Sequence, residues 1–167
     1  MAMRQQILSS PETLSDLAWA AEQRFADAQN LLDGARFTGA VYFLGLSVEI
    51  WLKLACFRFL GATLASPVHA QLGPARAWMR VHAPMTGHES YHSLLFWTEY
   101  LIRRRLASAR PLSTNLAGEL RHHVANRLFA DWLIDLRYRF ASVSEGLATR
   151  VYNDALWVRH SWPSLWR

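Results

Sequence analysis

TGAVYFLGLSVEIWLKLACFRFL, residues 38–60, is apolar on nearly every side at a helical repeat, with only Glu49, Lys53 and Arg58 charged. A run of this kind either spans a membrane or forms the centre of a helical domain. A span needs about 20 predominantly apolar residues. The three charges leave no uninterrupted stretch of that length, so a buried central helix is expected, closed by Gly61. The start of the chain, MAMRQQILSSPE, lacks the apolar stretch and small-residue cleavage site of a secretory signal. Nothing in the sequence calls for a membrane partner.

Helical periodicity extends on both sides of this run. Ser10, Pro11 and Glu12 make a helix start, with a polar cap, a first-turn proline and an acid at the positive dipole end. Leu14, Leu17, Ala18, Ala21, Phe25, Ala28 and Leu32 then keep a 3.6-residue period up to Gly34, where a left-handed cap is expected. Residues 62–87 contain Pro67, Gly73, Pro74 and Pro84 and read as a long connection with a short helix at 75–80. A third helix is expected over 90–106, with Arg103, Arg104 and Arg105 complementing its own dipole. A fourth runs from Ser113 to Tyr138. Ser142 and Glu145 have capping-box spacing and open a fifth, with Leu147, Val151, Ala155 and Val158 inward and Pro163 as its stop. No alternating strand pattern competes. The expectation is one all-α, up-and-down bundle of about five helices, a single domain over 1–167 with its core over 10–162.

The composition fits a folded domain of this size. With 167 residues, 51% hydrophobic and 19% charged, the chain lies far from the disordered class and is too short for two ordinary domains. A single cysteine, Cys56, excludes a disulfide framework and a Cys-rich zinc module, which suits a reducing, cytoplasmic setting. Its place in the apolar helix makes an inert thiol the expectation. Lys and Arg outnumber Asp and Glu by 18 to 13, and Lys53 is the only lysine. Arg-rich, Ala-rich and Leu-rich usage follows from a high-GC coding sequence. It is also compatible with RNA, nucleotide or acidic-protein contact, because guanidinium forks match phosphate. Trp157, Trp162 and Trp166 form an aromatic tail over 157–167 that suits a packing flap or a homodimer interface.

Four constellations carry possible chemistry. Glu49 and Lys53, four apart, predict a buried ion pair that needs a further polar partner, and Arg137 beside Tyr138 is the expected one, with His92 close by. A pair of this kind fixes helix register or lines a polar pocket for a phosphate or base. His88-Glu89-Ser90-Tyr91-His92 satisfies the HExxH zinc-peptidase pattern, with Glu119 as a nominal third ligand, but Gly87 puts its first half in a loop. Arg76 with His82, or Arg121 with His122, supplies an anion clamp and an acid/base for metal-independent RNA cleavage. Basic clusters at 103–105 and 121–127 would form a nucleic-acid stripe if their helices align. No Gly-rich phosphate loop or serine elbow is present, and no cofactor is expected.

AVYFLGLSVEIWLKLA, residues 40–55, resembles the second helix of HEPN domains, where a small-residue and aromatic start leads to a glutamate and then Leu-Lys. His92-Ser93-Leu94 is similar to that family's His-x-Leu helix opening, and WLIDLRY, 132–138, to the Trp…Arg-Tyr before its last helix. Order and spacing agree over residues 14–160. The resemblance implies a helical bundle, usually dimeric, in RNA-cleaving toxins, in partners of small nucleotidyltransferases and in non-catalytic nucleotide-binding or scaffolding domains. Ribonuclease members carry Arg, four to six residues, then His near the last helices. Here only Arg76 to His82 has that spacing, in the long connection, and nothing after Arg137 fits. The expected function is a non-catalytic dimeric binding module in bacterial defence or a toxin–antitoxin pair, with a divergent ribonuclease as the alternative.

Overall fold

A computed structural model describes residues 12–83, 90–132 and 143–167. Helix α1 (Leu14–Asp33) is capped by Thr13, whose hydroxyl accepts from the Asp16 amide while the Asp16 carboxylate accepts from the Thr13 amide at 2.9 Å. The Thr13 amide, and then the Thr13 hydroxyl donating to the same oxygen at 2.7 Å, hold the Asp16 carboxyl below its usual range. Two further first-turn amides are satisfied from the chain after α2: Leu14 donates to the Ser66 carbonyl and Ser15 to that of Leu64. The expected start at Ser10 and Pro11 lies outside the described residues. At the other end Gly34 is not left-handed, with φ −86°; Ala35 takes that conformation instead, at φ 54°.

Helix α2 (Phe37–Phe59) ends where predicted, and Gly61 at φ 89° supplies a positive φ that a side chain would strain. By length and composition α2 could cross a membrane, yet 78% of its most apolar window is buried by the rest of the molecule. It packs against α1, against α4 (Leu94–Ala107) and against α7 (Glu145–Trp166), so its apolar surface is used within the fold. Leu44, Val48, Leu52 and Ala55 are fully enclosed there. Removing this much apolar area from water is the main term favouring the fold.

The connection after α2 holds more helix than expected. Helix α3 (His69–His82) has Pro74 inside it rather than at its border. Proline there forfeits one bond, to the Ala70 carbonyl, but Ala70 is exposed and water can take that acceptor. Helix α4 starts later than expected, after Ser93, whose hydroxyl accepts from the Phe96 amide. Ser113 caps α5 (Thr114–Leu120), which continues without a break as a π-helix, π1 (Arg121–Leu128), and a last turn, α6 (Phe129–Asp131). This run stops seven residues short of Tyr138, because Trp132 is extended. It leaves the helix to lay its indole beside Gly45 and donate Nε1 to the Tyr42 carbonyl at 3.1 Å.

The cap of α7 is Ser144, two residues after the expected Ser142, which lies outside the described residues. Pro163 does not stop α7, which continues to Trp166 at the cost of one main-chain bond. The described residues thus form an all-α bundle of six helical runs, with no strand among them and one core reaching from Leu14 to Leu165. Trp157, Trp162 and Trp166 are half-buried against that core, so the tail contributes to packing within the chain.

Candidate functional site

Glu49 sits midway along α2, a carboxylate only 3% exposed among aromatic and aliphatic neighbours. Lys53, one turn on, places Nζ 2.5 Å from Oε1 and 5.6 Å from the centre of the Trp97 ring. The third member comes from the turn before α4: Nδ1 of His92 lies 3.1 Å from both carboxylate oxygens. That turn is fixed by Trp97, whose Nε1 donates to the Tyr91 carbonyl at 2.8 Å, and by the Ser93 cap. A buried carboxylate that receives protons from an ammonium and an imidazole is paired and hydrogen-bonded, the condition for keeping a charge inside. His92 is half exposed, so its ring is the part of the cluster that solvent or a ligand can reach.

Three of the five residues expected here, Glu49, Lys53 and His92, therefore meet, while Arg137 and Tyr138 lie outside the described residues. Arg76 is close by, its guanidinium 3.9 Å from the centre of the Tyr91 ring. His82, six residues along α3, is on a different face, stacked on Trp78 at 4.4 Å with its Nδ1 donating to the Trp78 carbonyl. The structure does not bring Arg76 and His82 together.

Arg121 and His122 also diverge. Arg121 bonds Glu99 at 3.0 Å, and Arg103 holds the other oxygen of the same carboxylate at 3.2 Å. Burial alone would raise the Glu99 pKa, but the Arg121 and Arg103 guanidiniums outweigh it and hold the carboxyl below its usual range. One arginine of each basic cluster, Arg103 and Arg121, thus meets at a shared acid, while Arg104, Arg105 and Arg127 contact other groups. His122 is exposed and lines a groove of about 690 Å³ with Thr114, Asn115, Gly118, Glu119 and His123. Glu119 therefore lies with His122 rather than with the Glu49 partner His92. His92 precedes the first turn of α4 and residues 90–92 are not helical, while His88 and Glu89 lie outside the described residues. No cluster of three metal-binding side chains occurs among the described residues. Cys56 is buried, and burial pushes its thiol far above the usual range, as an inert thiol requires.

One constellation escaped the sequence reading. Asp154, 1% exposed on α7, accepts from His123 Nδ1 at 2.7 Å, and the Arg127 Nε lies 3.0 Å from its other oxygen, off the line of a hydrogen bond. The His123 ring stacks on Trp157 at 4.6 Å and borders the groove. The signal was present: Asp154 falls on the inward face of α7, between Val151 and Val158, and an acid on an apolar stripe demands a cation. It lay in the spacing of α7, while the cation lay on π1, whose wider turn a 3.6-residue period does not describe.

With this geometry in place, comparison with known proteins finds no matching family model, no matching curated protein and no matching solved structure.

Proposed function

We propose that the protein is a non-catalytic, HEPN-like, dimeric binding module whose ligand face includes His92, and that its ligand is a nucleotide-type molecule or a partner protein of the nucleotidyltransferase kind. The observation that carries this reading is the convergence of Glu49, Lys53 and His92, with one ring half exposed, while the Arg–His pairs offered for catalysis bind other groups. The half-exposed His92 ring is the part of this cluster that a phosphate or a partner surface would meet. A cytoplasmic role in bacterial defence or a toxin–antitoxin pair belongs to the same reading.

The second reading, a metal-independent ribonuclease, draws support from His123. A buried carboxylate bonded to Nδ1 holds the ring, which lines the groove beside His122, an arrangement suited to proton transfer. One experiment separates the two. The purified chain is sized by light scattering, titrated with nucleotides by calorimetry, and incubated with assorted RNAs in chelator. A dimer that binds nucleotide, loses that binding about tenfold in His92→Gln, and leaves RNA intact supports the binding module. Cleavage that disappears in His123→Ala overturns it in favour of the ribonuclease.

A further inference from the structure

Helices α2, α4 and α7 all end at one place, and four arginines gather there. Arg58 gives Nη1 to the Ala62 carbonyl at 2.9 Å and lies 4.6 Å from the centre of the Trp166 ring. Arg105, which was expected to serve its own helix, turns inward, gives Nη1 to the Leu165 carbonyl at 3.0 Å and lies 4.8 Å from the Phe59 ring centre. Arg110 covers the same Phe59 ring at 5.2 Å and donates to the main-chain oxygen of Arg167. Arg167 itself stacks on Trp166.

Neutralising helix ends explains only part of this. Three helix C-termini present roughly half a negative charge each, against the three guanidiniums of Arg58, Arg105 and Arg110. No Asp or Glu among the described residues is within ion-pair distance of Arg58, Arg105 or Arg110. Each of the three has one hydrogen bond to a carbonyl out of a fork of donors. Two donors at the junction, Arg105 Nε and Trp166 Nε1, are buried with no acceptor at all, and Arg105 is 94% removed from solvent on a relative exposure of 6%. An uncompensated buried cation is among the costliest arrangements a protein holds, and arginine cannot escape it by losing its proton. Donors in excess, acceptors missing and an unbalanced positive charge describe a seat for an oxyanion.

We propose that this junction binds a phosphate group, with Arg58, Arg105 and Arg110 as its donors. A phosphate brings about −1.5 to −2 charge and three acceptor oxygens, which offsets the excess and meets planar guanidinium forks in their preferred geometry. The site is separate from the His92 face and does not depend on the function proposed for it.

The test is a titration of the full chain with inorganic phosphate, followed by tryptophan fluorescence and by thermal unfolding, against sodium chloride at matched ionic strength and against acetate. The expected result is a saturable fluorescence change and a rise in Tm with phosphate only, weakened at least tenfold in Arg58→Gln and in Arg110→Gln. Both positions are at least partly open to solvent, so these variants keep the core. Trp166→Phe should fold, bind, and lose most of the fluorescence change. A response no larger than that of the chloride control, equal saturation by acetate, or unchanged affinity in the Arg58→Gln/Arg110→Gln double variant overturns the proposal.

Discussion

Glu49 and Lys53 are charges inside the most apolar helix, and the energetics of such pairs are lopsided. Bringing both out of water costs about as much as their attraction returns, whereas removing one strands the other, at about 3–5 kcal/mol. Glu49→Ala should therefore lower unfolding stability by about that amount, because Lys53 remains 8% exposed with no carboxylate beside it. The double variant Glu49→Leu/Lys53→Met should be far closer to the wild type. Urea unfolding of the two decides the matter, and equal losses would mean that the pair is not what anchors these residues. The sequence already disclosed this pair, since a glutamate and a lysine at i, i+4 have few options within an apolar run. His92 as its third member was legible only as proximity. Its precise role depends on where α4 begins, and a serine at 90 and a serine at 93 offer competing caps.

Between elements, Trp132 approaches α2 closely at Gly45. A Cβ on Gly45 would fall inside the Trp132 indole, so the glycine is needed for space and not for its backbone angles. Gly45→Ala should cost at least about 1–3 kcal/mol through overpacking, and Trp132→Leu in that background should restore part of the loss, both read from thermal unfolding. The link between α4 and π1 is electrostatic. Because Arg121 and Arg103 hold the folded Glu99 carboxyl below its usual range, the unfolded chain takes up a proton first as pH falls. The stability from Glu99 is thus fully present above the usual glutamate range and is lost as pH drops below it. Glu99→Gln should be less stable at pH 7 and show a shallower decline from about pH 4 downward; parallel acid-unfolding curves would contradict this assignment. Such links between runs were least visible in the sequence. Periodicity gave α1 and α2, the Gly61 stop the end of α2 and Ser113 the start of α5, while α1 is capped by Thr13, three residues past the expected Ser10, and prolines misled twice. Pro74 and Pro163 each read as a border, and each is accommodated within a helix whose neighbours repay one lost bond.

Across the whole molecule, fold class was more legible than function because it is encoded redundantly. Many apolar positions repeat at one period, and the loss of any single one leaves the pattern readable. A site depends on a few residues brought together from distant segments, as Asp154 from α7 and His123 from π1 are, and no local pattern announces such a meeting. The placement of α2 has a consequence for how the chain is made. Helix α2 is flanked in sequence by α1, which packs on it at once through a short turn, but its other side is covered by α7, which leaves the ribosome much later. During synthesis the α1–α2 hairpin therefore waits with a bare hydrophobic flank, in the partly folded condition that favours aggregation. Until α7 arrives that flank has no cover, and truncating α7 would produce a sticky chain rather than a smaller domain.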